Sequence, residues 1–182
     1  AMAAFAKNPV EGPAAERLSQ ESYLVGQIRT TCVATQLQGG HAPNALPQSA
    51  SANVNCRIFP GVPVESVRRT LETVIANPQA KVVLADKTFE SEASPLRPDV
   101  MAAVGKAVAA SRGKEVPIQP SMSSGATDSV IFRAAGIPSY GVSGLFQKPE
   151  DGFAHGLNER VPVAAIAPAL IHWHVLITEL AR

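Results

Sequence analysis

Two stretches of alternating residues, QIRTTCVATQLQ at 27–38 and ASANVNCRIF at 50–59, limit what this chain can become. Side chains two apart share one face of an extended strand, so alternation over this length predicts two half-buried strands. Between them GGHAPNALPQ supplies the Gly, Pro and Asn of a broad connection. Alternation places Cys32 and Ala34 on one face of the first strand, and Ala52, Val54, Cys56 and Ile58 on one face of the second. These are the expected core faces. Folding the pair about Asn44 sets Cys32 opposite Cys56 and Thr35 opposite Asn53, so a cross-strand disulfide is geometrically possible. Two small buried thiols are the expectation of the two, because free cysteine is among the most buried residue types.

Pro60-Gly61 ends the second strand, and Pro63 suits a first helical position. Val64, Val67, Leu71, Val74 and Ile75 then recur at helical spacing with Arg and Glu opposite, which predicts a one-sided helix of about 13 residues. Asn77-Pro78 stops it, and AKVVLA at 80–85 reads as a short buried strand. Strand, strand, helix, strand is most of a split β-α-β unit, with a helix covering one face of an antiparallel sheet. A first strand and helix are expected ahead of it, but residues 1–21 read as a loosely held lead-in with a weak helical run near Ala14 to Leu18.

Beyond a polar, turn-rich boundary at Glu90 to Arg97, the pattern changes. Pro98 opens a helix with Val100, Val104 and Val108 on one stripe, ended at Gly113. A strand is expected at Val116 to Gln119, a turn at Ser123 to Ala126, a helix from about Thr127 to Ala135 and a strand at Ile137 to Val142. A last helix covers Val163 to Ala181, with Pro168 in its first turns. Such alternation predicts a thin, largely parallel α/β layer. The fold class is therefore α/β (α+β), a partial split β-α-β lobe plus a partial α/β layer, divided as 1–21, 22–90 and 91–182.

Hydrophobic content of 46% with 17% charged residues describes a globular chain, and a net charge of +1 offers no basic face for nucleic acid. No apolar run is read as approaching the roughly 18 residues that cross a bilayer, so no membrane partner is expected.

Chemistry concentrates in Ser123 to Pro162. SSGATDS ahead of an amphipathic run has the form of an anion-binding turn, since Gly admits close backbone approach and helix N–H groups point outward. Thr127 can cap that helix and Asp128 suits its positive end; by itself the turn reads as a plain N-capped start. Ser121, Ser123, Ser124 and Ser143 are not in a G-x-S-x-G setting. His155 lies among Glu150, Asp151, Asn158 and Glu159, but a metal ion needs several converging donors. His172 and His174, two apart on a helix, point about 200° apart and read as surface or packing residues. His41 reads as a solvated turn residue.

Three pieces in this order resemble one family. GGHAPNALPQSASANVNCRIFPG resembles the dimerisation (lid) domain of the M20 zinc metallopeptidases and amidohydrolases, which include aminoacylases, Gly-X carboxypeptidases, acetylornithine deacetylase and succinyl-diaminopimelate desuccinylase. SSGATDSVIFRAAGIPSYGVS is similar to the family's Gly-rich substrate loop, and AHGLNERV to its closing metal-ligand motif. The resemblance runs from about Thr30 to Arg182. It implies that His155 is a zinc ligand, that Asn44 and Arg57 contact the substrate's carboxylate or scissile carbonyl, and that Gly125, Ala126 and Thr127 line its carboxylate end. It further implies an N-acyl amino acid or small peptide as substrate and a homodimer formed through the lid.

The family's His-x-Asp pair, bridging Asp, Glu-Glu pair and next acidic ligand precede its lid, and none of them occurs in this chain. The lid also lacks its first strand, which in the family bears a histidine, and His41 does not replace it. The chain alone is therefore expected to be inactive and to hold zinc weakly at most. The rival reading is a non-catalytic dimerisation or interaction module that pairs with its own copy edge to edge; a further one is a small-molecule sensor using the Gly-rich turn.

Overall fold

The structure is a computed structural model and describes residues 2–5, 7, 12–152 and 154–182. In chain order its elements are helices α1 (Met2–Phe5), α2 (Pro13–Ser19) and α3 (Ser22–Ile28), strands β1 (Thr31–Gly39) and β2 (Ala50–Arg57), and helices α4 (Val64–Ile75), α5 (Pro98–Arg112), α6 (Ser129–Ala134) and α7 (Ile166–Leu180). The mixture of helices with one antiparallel strand pair is the α+β class expected from the sequence. Two compact units divide the chain, the first formed by residues 1–93 and 121–137, the second by residues 94–120 and 138–182.

In the first unit β1 and β2 form a two-stranded antiparallel ribbon, in the expected register from Thr31, which faces Arg57, through Cys32, which faces Cys56, to Ala34; beyond Ala34 it is Gln36, not the expected Thr35, that faces Asn53. Thr35 is an extra residue, so the register shifts between Ala34 and Gln36. Its side chain is held from across the ribbon, where Asn53 Nδ2 donates to Thr35 Oγ1 at 2.9 Å. One expectation is overturned here. Cys32 and Cys56 are not free thiols but a disulfide, because the register brings the two residues directly opposite each other. The expected core faces are likewise not buried: Cys32, Ala34 and Ala52 are exposed, Val54 is 40% exposed, and Cys56 and Ile58 are half-buried. Among the described residues nothing covers either face of the ribbon, so alternation here marks strand structure without marking a core.

Ahead of the ribbon the lead-in is more regular than expected. Gly12 (φ 115°) turns the chain into α2, Pro13 occupies its first turn, and Ala15 and Leu18 are buried. Helix α3 runs to Ile28, so Gln27 and Ile28 are helical and the first strand begins later than its alternation suggested. Within the lead-in, residues 1, 6 and 8–11 lie outside the described residues.

Helix α4 has the expected bounds and its closing residue, Ala76, is left-handed at φ 50°. No side chain at its own N-cap accepts a helix N–H; instead Glu90 Oε1, 26 residues on, accepts from Val64 N–H at 2.7 Å. Gly61 (φ 80°) donates its N–H to Ser91 O at 3.2 Å, so residues 90–91 strap the turn that starts α4. The expected strand at 80–85 does not form, and Val83 is 77% exposed. A strand needs a hydrogen-bonded neighbour, and β1 and β2 pair only with each other among the described residues.

In the second unit α5 packs along α7. Ala103 and Ala107, one helical turn apart, let the helices approach closely over Leu176, with Val104, Val142 and Val175 around them. Gly113 (φ 69°) ends α5 as expected. Ser94 and Ser139 hold two extended segments side by side: Ser94 Oγ donates to Ser139 O and accepts from Ser139 N–H, each at 2.9 Å, while Tyr140 OH donates to Pro95 O at 2.6 Å. These bonds run through side chains, and among the described residues no strand is assigned at the expected positions 116–119 and 137–142.

A 3-10 turn at Val163–Ala165 leads into α7, with Pro168 in the first turn of the helix. Together Val163–Leu180 make 18 residues of mean hydropathy 1.5, long and apolar enough to cross a membrane by length and composition. This corrects the reading that no run reaches that length: Pro168, His172 and His174 dilute the segment without offsetting its Ile, Leu and Val. Core helices share that composition, and α7 buries Ala169, His172 and Leu176.

Candidate functional site

Arg57 closes β2 at the base of the ribbon, opposite Thr31, and is exposed. Its guanidinium has no hydrogen bond or ion pair among the described residues. This contrasts with α4, where Arg68 and, secondarily, Arg69 hydrogen-bond Glu65 and hold its carboxyl at about 2, while Arg68 also pairs with Glu72. Those α4 charges are mutually satisfied on the surface; Arg57 is available to an outside anion.

Asn44 lies in the exposed loop 40–49 that joins the strands at the other end of the ribbon. The eight residues of β2 separate the end of that loop from Arg57 by about 23 Å at the rise of an extended strand. Within one copy the ribbon therefore holds the two residues at opposite ends.

The Gly-rich turn belongs to the same unit. A Cβ on Gly26 of α3 would come within 2.6 Å of Ser124 Cβ, so glycine there admits the turn against the helix. Arg133 of α6 donates from Nε to Ser91 Oγ at 3.3 Å. The helix after the turn is shorter than expected, and Thr127 Oγ1 accepts the N–H of Ser129 at 3.1 Å. Ser123 Oγ accepts from Gly125 N–H at 3.2 Å, so that donor is already used inside the turn. Gly125, Ala126 and Thr127 are all exposed.

His155 stands in the second unit, in a turn, exposed and left-handed at φ 63°. Glu159 curls back so that its Oε2 accepts the His155 backbone N–H at 3.3 Å. That pairing points a carboxylate at the histidine's backbone, not at a shared ion. Among the described residues no group of three or more His, Cys, Asp or Glu side chains is arranged to hold a metal, so the donors of this chain do not by themselves fit a zinc centre.

His172 and His174 part company: His172 is fully buried and His174 exposed. The tie from Glu90 to α4 escaped sequence reasoning, because an acceptor 26 residues from the helix start has no local signature.

A family model described as the peptidase dimerisation domain matches residues 10–83, which span α2, α3, the ribbon and α4. The chain is 27% identical over 160 residues to the cattle (Bos taurus) N-fatty-acyl-amino acid synthase/hydrolase PM20D1, covering 84% of this chain and 31% of that protein. It is 28% identical over 151 residues to mouse (Mus musculus) aminoacylase-1, covering 80% and 36%. The human (Homo sapiens) PM20D1 protein is 31% identical over 144 residues, covering 76% and 28%. The chain thus spans about a third of the length of these curated relatives. No solved structure shows a significant match. The dimerisation-domain match over residues 10–83 and the relatives that extend it support an M20 family peptidase or amidohydrolase, of whose dimerisation domain the chain carries a portion.

Proposed function

We propose that this chain forms one wall of a zinc-dependent M20 hydrolase that cleaves the amide bond of N-acyl amino acids or small peptides, and that it is inactive alone. Residues 22–90 are the lid portion and residues 91–182 part of the catalytic layer. Arg57 carries the reading: it is an exposed guanidinium without a partner among the described residues, on a ribbon braced by a disulfide. Its planar pair of donors suits a substrate carboxylate. Gly125, Ala126 and Thr127 line the carboxylate end, and His155 is one donor of a metal centre whose other donors lie outside this chain.

The ribbon's length makes this more specific. One small substrate cannot span the roughly 23 Å of β2, so Asn44 and Arg57 serve a single site only when they come from two copies of a homodimer. Mixing Asn44→Ala and Arg57→Ala subunits of an intact enzyme carrying this segment tests it. Each mixed dimer then has one site with both residues intact and one with neither, and activity returns to about half per mixed dimer. If both residues serve a site from the same copy, every site lacks one of them and no activity returns. Arg57→Ala alone raises KM; unaltered kinetics would remove the clamp from Arg57.

A further inference from the structure

Helix α7 carries a buried histidine that the proposed hydrolase chemistry does not use. His172 has no accessible surface, and neither its Nδ1 nor its Nε2 has a hydrogen-bond partner. Buried side-chain polar atoms nearly always find a partner; this ring is held chiefly by packing, with the Ala107 backbone close enough to act on it weakly. Phe146 and Trp173 meet it edge-on, with ring centroids 6.2 and 5.9 Å away. Above it Gly144 leaves no spare room: a Cβ there would lie 3.0 Å from His172 Cβ and 2.9 Å from Ala169 O.

Charges around the ring offer an imidazolium nothing. On α5, Lys106 is engaged with Glu179 at 2.6 Å, and Arg112 places its guanidinium 5.0 Å over the ring of Phe146, an aromatic neighbour of His172. Residues 141–146 contain no titratable side chain. On α7 itself, His174 is exposed, and Glu179 is bound by Lys106 and Arg182. The one fixed charge stacked against this cluster is thus a cation, the wrong sign to stabilise a second one.

We propose that His172 is an acid-operated latch in the second unit: when the ring takes up a proton, the packing of α5, α7 and the 141–146 segment can no longer close over it, and that segment releases. The inference does not depend on the hydrolase reading. Burial holds the imidazole below the ordinary value of 6.5, and the Ala107 backbone acts on it more weakly in the opposite sense. The sign follows from that direction. The unfolded or opened ring binds a proton more readily than the closed one, so the closed packing is fully stable above 6.5 and loses stability as the pH falls from 6.5 toward the depressed value. Through that window the ratio of open to closed forms rises up to tenfold per pH unit.

Trp173, the chain's single tryptophan, touches the ring and reports on it. Acidifying the full chain from pH 8 to pH 4 should red-shift its fluorescence in one step below 6.5, with loss of amide protection in α5 and α7. The disulfide-braced ribbon of the first unit should keep its protection through the same step. His172→Phe, which fills the space without a titrating group, should abolish the step, and His174→Ala should leave it in place. A transition unmoved by His172→Phe would overturn the proposal. Should that variant fail to fold, the ring carbon resonances of His172 in the native chain decide: a midpoint at or above 6.5, or a closed unit with a protonated ring, overturns it equally.

Discussion

Replacing both Cys32 and Cys56 by Ser should open the ribbon selectively. The disulfide joins residues separated by 24 positions, and closing a loop of that size removes chain entropy equivalent to about 3.4 kcal/mol near room temperature. Little else competes with it. The strands are exposed along nearly all their length, and the cross-ribbon side-chain bonds, Asn53 to Thr35 at 2.9 Å and the Phe59 N–H to Thr30 Oγ1 at 2.9 Å, are worth about 1 kcal/mol each. A two-stranded hairpin without a covering layer is marginal in water. Amide hydrogen exchange, read segment by segment, should therefore show protection in Thr31–Gly39 and Ala50–Arg57 falling by about 300-fold, the equivalent of that free energy at 1.4 kcal/mol per tenfold. Protection in α5 and α7, which belong to the other unit, should not change. A fall of less than about tenfold in the ribbon, or an equal fall in α5 and α7, would refute the reasoning.

Glu90→Ala removes the acceptor for Val64 N–H and should cost about 1 kcal/mol, seen as faster exchange in the first turn of α4. Gly144→Ala forces a methyl group to 2.9 Å from Ala169 O and should lower the melting temperature of the second unit, at a cost of about 1–3 kcal/mol. The Glu65 carboxyl should titrate with a midpoint of about 2 by carbon NMR and move back toward 4.5 in Arg68→Ala. Because its folded value is lowered, its contribution to stability is present above 4.5 and fades as the pH falls toward 2; exposure keeps that contribution small.

Local signals were legible in the sequence, and signals that need a neighbour were not. Helices α4 and α5 fell where Pro, the apolar stripe and the closing Asn77-Pro78 or Gly113 put them, because those cues act within a few residues. The ribbon's register was legible from Thr31 to Ala34, fixed by alternation and by the centre at Asn44, but the bulge at Thr35 that shifts it by one toward the loop was not. Alternation cannot say whether a face is covered, so Ala34, Ala52 and Val54 are exposed where a core face was expected, and the cysteines are a disulfide rather than thiols. The segments 80–85 and 116–119 have strand-like composition but no strand beside them among the described residues. Of the candidate site, residue types and order carried the resemblance. The separation of Asn44 from Arg57, and the side chains that occupy the Gly125 and Ser129 N–H groups, needed coordinates.

The claim that this chain supplies one wall of an M20 active site is tested most directly by turnover. Purified chain, supplied with zinc and N-acyl amino acids, should be assayed for amide hydrolysis beside mouse aminoacylase-1. No hydrolysis above the rate without protein is expected, because among the described residues no donors are arranged as a metal centre. Turnover comparable with that of the full-length relative would contradict it.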